Sequence, residues 1–203
     1  MQKLLILGCR RSGTTLLASL IGAHSQVNML DGCDKCIDKL IGKRYQGVKM
    51  TIPHIHYNRR SSDLWIFLYH KIAFLRKCFL KIGIQFDPHH GSKYSIKDFI
   101  NMDAKIIYIF RDKKSNIESM IKRSKLTQKR AIRTYNKALK IHINLFEFYL
   151  SNHYVISFYQ LTNFPEKILK NICKYLNLEY EPQMLNAAGL NERYSNTKIE
   201  KKK

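Results

Sequence analysis

The stretch Lys3–Ser19, KLLILGCRRSGTTLLAS, decides the fold. Leu4, Leu5, Ile6 and Leu7 form a continuous apolar run without polar alternation, the pattern of a parallel strand covered on both faces. Gly8 ends that run and opens the spacing G-x-x-x-x-G-T-T through Gly13, Thr14 and Thr15, the skeleton of a P-loop. Glycines there let backbone N–H groups turn inward, and the N-terminus of the following helix adds positive potential, so the turn suits an anion. In nucleotide-hydrolysing versions the residue after the second glycine is a lysine that reaches the terminal phosphates. Here it is Thr14, and the cations inside the turn are Arg10 and Arg11.

A second constellation lies about a hundred residues on, in AKIIYIFRDKKSNIESMIKRS. An apolar strand, Ile106–Phe110, ends in Arg111 and Asp112, where α/β proteins place ligands. With Ser115 taken as the cap of the next helix, Ser119 and Arg123 stand four apart on one helical face beside Arg111. Guanidinium groups fork onto phosphate oxygens, so two arginines and a hydroxyl suit a dianionic phosphate distinct from the anion at the first loop.

Together these segments resemble the sulfotransferases that use 3′-phosphoadenosine 5′-phosphosulfate (PAPS), in their bacterial and tyrosylprotein-sulfotransferase-like branch. RRSGTTLL is similar to that family's 5′-phosphosulfate loop, PRSGTTLL, and RDKKSNIESMIKR to its 3′-phosphate motif, R-D-x-x-x-x-x-x-S-x-x-x-R, with Arg111, Ser119 and Arg123 in register. VISFYQLTNFPEKILKNICKYLNLEYEPQML resembles the family's late strand and helix. The chain departs from the pattern in three places: Arg10 replaces a proline, Lys113 replaces the proline of an R-D-P turn, and Phe158 and Tyr159 replace a Tyr-Glu pair. The family's tyrosine contact is therefore not carried over.

The resemblance implies an α/β fold, a single three-layer domain with a mostly parallel sheet and a P-loop. It implies sulfuryl transfer from PAPS, as co-substrate and without a metal, to a hydroxyl or amine on a carbohydrate, lipid, peptide or small metabolite. The donor ligands it implies are Arg11, Ser12, Gly13, Thr14, Thr15, Arg111, Ser119 and Arg123. Arg11 doubles as a catalytic cation. Lys49, at the end of the strand-like run Tyr45–Met50, is the candidate second cation, and Asp31, at the end of Val27–Leu30, the candidate base. Asp34, His54 and His56 compete with Asp31 for that role.

Composition bounds the alternatives. A chain of 203 residues with 45% apolar content can bury a core in one domain. The net charge of +21 suits an anionic partner, and a basic nucleic-acid-binding protein is one alternative. Ile132, Tyr135, Leu139, Ile143 and Phe146 recur at helical spacing among the basic residues of 113–140, which points instead to a packed helix with a wet face and to no specific nucleic-acid site. A kinase-like phosphotransferase, with Asp112 holding magnesium, is the other alternative; Thr14 in place of lysine argues against it.

Five scattered cysteines, an odd number, fit a reducing, cytoplasmic setting, and the Cys33–Cys36 pair lacks the partners of a zinc site. The apolar run before Gly8 is too short for a secretory signal. Asp63–Ile82 is apolar but interrupted by His70, Lys71, Arg76, Lys77 and Lys81, so it reads as a buried or acceptor-lining helix, with weak contact at a membrane surface left open.

The expected strands lie near 3–7, 27–30, 45–49, 105–110 and 154–158, and the helices near 14–23, 63–82, 115–124, 128–150 and 165–176. The catalytic domain is expected over 1–185, with an acceptor-side insertion at about 50–95 and a basic tail over 186–203. No motif speaks to oligomeric state.

Overall fold

The computed structural model describes residues 1–31, 42–52, 55, 94–149 and 153–188, without the side chains of Asp31 and Phe148. Five parallel strands, β1 (Gln2–Cys9), β2 (Val27–Asp31), β3 (Tyr45–Ile52), β4 (Lys105–Phe110) and β5 (His153–Ser157), form one sheet in the order β2-β3-β1-β4-β5. The expected α/β class and parallel sheet are present. β1 runs down the middle with β3 and β4 on either side, in the registers Ile6↔Lys49 and Gly8↔Ile109. This arrangement makes the carboxyl end of β1 the switch point at which such sheets bind ligands.

Both sheet faces are covered. On one, Leu4 and Ile6 pack with Ile107, Ile109 and the helices α1 (Thr14–Gly22) and α6 (Pro165–Tyr175). On the other, Leu5, Leu7 and Cys9 pack with α2 (Ile96–Asn101), with Met120 of α3 (Lys113–Ser124) and with α4 (Gln128–Phe148). Leu4, Leu5, Ile6 and Leu7 are all fully buried, so the unbroken apolar run has the two-sided cause inferred from it. A short helix α5 (Phe158–Asn163) follows β5, and a 3-10 segment, Pro182–Ala188, closes the described chain with Met184 and Ala187 buried. Its approach is pinned to the end of α1. His24 Nδ1 accepts the Gln26 N–H at 3.0 Å, which leaves Nε2–H to donate to Glu179 O at 2.8 Å.

Three local expectations need correction. The α3 cap is Asp112, whose carboxylate accepts the Ser115 N–H at 2.9 Å, so the helix starts at Lys113 and Ser115 lies inside it. A carboxylate there also sits well against the positive end of the helix. In α4 the residues facing the core are Ala131, Ala138, Ile141 and Leu145; Leu139, Ile143 and Phe146, expected to pack, are 44%, 46% and 57% exposed. Alanines let α4 lie close to the sheet, and the larger side chains one step round the helix are left outward. Phe158 opens a helix, with Ser157 as its cap and Gln160 closing the capping box, and does not end β5. The expected helix over 63–82, together with Cys33, Cys36 and Cys78, lies outside the described residues. Of the cysteines described, Cys9 and Cys173 are both buried and free, and burial pushes their thiols up to about 12 and about 11. Such thiols are poor nucleophiles. Among the described residues no helix is long and apolar enough to cross a membrane.

Candidate active site

The loop between β1 and α1 is built by backbone conformations that its sequence permits only at particular places. Arg10 N–H bonds Ile52 O at 3.1 Å, tying the loop to β3, and Ser12 N–H returns to Cys9 O at 3.0 Å. Arg11, at φ 70°, and Gly13, at φ 102°, both take left-handed backbone. Gly13 cannot carry a side chain here: a Cβ would meet the Phe158 ring, 2.8 Å from Cε2 and closer to Cδ2. Gly8 is equally confined, since a Cβ there would lie 2.5 Å from Ile109 O and 2.5 Å from Ser12 Oγ.

Among the described residues no side chain caps α1 at Gly13. Its first-turn N–H groups therefore remain available to an anion. Ser12 contributes through its side chain, because its N–H is already used; what it offers is a fully buried hydroxyl with no hydrogen-bond partner among the described residues. A buried hydroxyl without a partner costs about 1–3 kcal/mol, a cost that a bound oxyanion would remove. An uncapped helix, a glycine cradle and this hydroxyl fit a phosphosulfate.

The two strands beside β1 each deliver a cation. Lys49 on β3 is buried, and its Nζ lies 3.2 Å from Thr15 Oγ1, so the structure brings the second cation to the loop. Arg111, just past β4, donates Nη1 to Arg11 O at 3.5 Å, a long bond, and its guanidinium Cζ stands 4.6 Å from the Phe158 ring centroid. Tyr135 of α4 donates its hydroxyl to Arg111 O, also at 3.5 Å. Arg111 and Arg11 are thus brought together. Ser119 and Arg123 keep their i, i+4 relation on α3, Ser119 partly buried and Arg123 exposed.

Asp31 is the last residue of the edge strand β2, in register with Lys49. That places its backbone one strand away from the lysine. Its side chain and the competing Asp34, His54 and His56 lie outside the described residues. Asp112 is exposed, and hydrogen bonds from the Ser115 side chain and backbone hold its carboxyl below the usual range. Its service as a helix cap leaves it poorly placed as a magnesium ligand, which weakens the kinase-like alternative.

Two residues of interest escaped the sequence reading. Phe158 had been noted only for lacking a hydroxyl. Asn116, one turn into α3, is fully buried with neither side-chain Nδ2 nor Oδ1 bonded among the described residues. Its one sequence signal is that Met120, four residues on, is apolar and shares its face.

The chain is similar to solved sulfotransferase structures. It matches the sulfotransferase domain from the curacin biosynthetic pathway at 17% identity, covering 92% of this chain and 77% of that one with a TM-score of 0.56. Against mouse sulfotransferase SULT7A1 complexed with PAP the values are 16%, 92%, 62% and 0.60, so the chain spans less than two thirds of that protein. The sulfotransferase domain from the Synechococcus PCC 7002 olefin synthase matches at 18% identity over 92% of this chain and 77% of that one, with a TM-score of 0.56. At these identities the likeness speaks for the fold. No curated protein sequence matches the chain. The model of the sulfotransferase domain family, in contrast, matches residues 1–189, nearly the whole length, and on that ground the chain belongs to the sulfotransferase family.

Proposed function

We propose that the chain moves a sulfuryl group from PAPS to a hydroxyl or amine acceptor, as a transferase acting in the cytoplasm without a metal. In that reaction the bond between sulfur and the bridging phosphate oxygen breaks and a bond from sulfur to the acceptor oxygen or nitrogen forms. The acceptor's proton passes to a base and adenosine 3′,5′-bisphosphate leaves. The observation that carries the reading is the buried Lys49, whose Nζ reaches Thr15 Oγ1 at the uncapped end of α1. A cation there meets an anionic donor at the position where charge develops on transfer.

The roles of the residues follow from their places. The N–H groups of Gly13, Thr14 and Thr15, the Ser12 and Thr14 hydroxyls and Arg11 hold the 5′ end of the donor; Arg111, Ser119 and Arg123 hold the 3′-phosphate. Lys49 and Arg11 stabilise the departing phosphate oxygen. Asp31 takes the acceptor's proton. The domain runs over 1–185 and the segment at about 50–95 selects the acceptor; the basic tail expected over 186–203 begins later, because Asn186–Ala188 belong to the packed 3-10 segment.

The test is a titration of adenosine 3′,5′-bisphosphate beside ADP with magnesium and beside a nonspecific oligonucleotide. The bisphosphate is expected to bind tightest. Arg111→Ala and Ser119→Ala should each weaken it roughly ten- to a hundredfold, the loss of a charge-assisted bond. Magnesium-dependent preference for ADP would overturn the reading.

A further inference from the structure

Phe158 touches both halves of the site. One edge of its ring lies against Gly13, where any Cβ would collide with Cδ2 and Cε2, and its face lies 4.6 Å from the guanidinium carbon of Arg111. Among the described residues that guanidinium makes one long hydrogen bond, from Nη1 to Arg11 O at the outer limit of 3.5 Å. A planar cation over an aromatic face is held by the ring quadrupole, and more strongly where water is excluded. Arg111 is partly buried and Phe158 packs against the apolar cluster around Ile156 and Leu161, so the contact is partly shielded from water. The backbone that carries the ring is held by the capping box at the start of α5, in which Ser157 is the cap.

We propose that Phe158 is a positioning residue for the 3′-phosphate: it fixes the plane of Arg111, and so sets how well the site distinguishes a nucleotide with a 3′-phosphate from one without. This rests on the PAPS reading above. Orientation is what a bidentate arginine requires, since its two N–H bonds must both point at the same phosphate. A ring is needed for this and a hydroxyl is not, which accounts for phenylalanine serving where the family resemblance expects tyrosine. The contact with Gly13 adds a consequence: the arginine's platform is referenced to the 5′ loop, so the spacing between the two anion sites is carried by one side chain.

The experiment compares adenosine 3′,5′-bisphosphate with AMP by calorimetry on the wild type, Phe158→Leu, Phe158→Tyr and Arg111→Lys. Phe158→Leu should weaken the bisphosphate about five- to tenfold and AMP less than twofold; Phe158→Tyr, which keeps the ring, should restore the preference. In an Arg111→Lys background, Phe158→Leu should change the ratio no further. Equal weakening of both ligands by Phe158→Leu, or failure of Phe158→Tyr to restore the ratio, overturns the positioning role while leaving the PAPS reading intact. A wild type that binds AMP as well as the bisphosphate overturns the PAPS reading itself, and the positioning role with it. Should Phe158→Leu not fold, the Phe158→Tyr and Arg111→Lys ratios still decide: retention in the first with loss in the second supports the role, and loss in the first defeats it.

Discussion

Acid should weaken the fold through a histidine pair between α4 and the sheet. His142 and His153 have ring centroids 5.6 Å apart, and Tyr108 stacks on His142 at 4.6 Å. His142 Nδ1 and His153 Nε2 are both buried with no hydrogen-bond partner among the described residues. Burial, then the neighbouring His142, pushes His153 down to about 4 from 6.5, and burial lowers His142 as well. The nearby Cys9 and Tyr108 stay neutral, because burial raises both.

The sign follows from which state protonates first. The unfolded chain takes up its proton near pH 6.5 and the folded one only near 4, so stability is complete above about 6.5 and is lost as pH falls toward 4. At about 1.4 kcal/mol per unit the shift sets a ceiling of about 3 kcal/mol; His153 keeps some solvent contact, and screening reduces this to about 1–2 kcal/mol. Urea unfolding at pH 7.5 and pH 5 measures the effect, with His153→Phe as the non-titrating control. The wild type should lose about 1 kcal/mol more than the variant between the two pH values, the carboxylates being common to both. Parallel losses would refute the argument.

The remaining predictions concern the loop and α3. Gly8→Ala forces a Cβ to within 2.5 Å of the backbone oxygen of Ile109, which cannot swing away, so thermal unfolding should show a loss of about 2–4 kcal/mol. Asn116→Leu replaces a buried amide, unbonded among the described residues, with a larger apolar group of the same branched shape and should raise Tm by a few degrees, about 1–2 kcal/mol; a lower Tm for it and for the smaller Asn116→Val alike would refute the argument. Lys49→Met should lower kcat by about a hundredfold while changing bisphosphate affinity by much less, measured with labelled donor on an acceptor found by screening.

Legibility followed the physics of each segment. The central strands β1 and β4 were legible because parallel strands buried on both faces leave continuous apolar runs, whereas β2, β3 and β5 carry polar residues and rest on shorter apolar stretches; β4 and β5 fall within a residue or so of expectation. Helix α2 was missed although Ser95 and Asp98 form a capping box that its sequence displays, because six residues make too short a window for periodicity. Helix α4 misled for the opposite reason. It carries two adjacent apolar stripes, and periodicity cannot tell which one meets the sheet when the buried stripe is built partly of alanine. Asn116 was illegible because nothing in a one-dimensional pattern says that an asparagine on a basic helix points inward.

Thr14 stands where a nucleotide-hydrolysing loop has its lysine, and the sheet order supplies a cation from elsewhere. Because β3 lies directly beside β1, residue 49 comes level with Ile6, and its long side chain crosses to the first turn of α1 on the same face. A lysine inside the loop moves with the loop; a lysine on β3 is fixed by the sheet and arrives from the side where β2 ends at Asp31. On the reading proposed above, cation and base then approach from one flank, through neighbouring strands in register, while Arg111 and Phe158 hold the nucleotide from the other. The donor is gripped by the P-loop side and β4, and the chemistry of transfer is assigned to β2 and β3. Mutations on the two flanks should therefore separate, those at Arg111 and Phe158 altering donor affinity and those at Lys49 and Asp31 altering turnover. An Asp31→Asn variant that loses donor affinity but keeps its kcat would break that division, and with it the assignment of Asp31 as base.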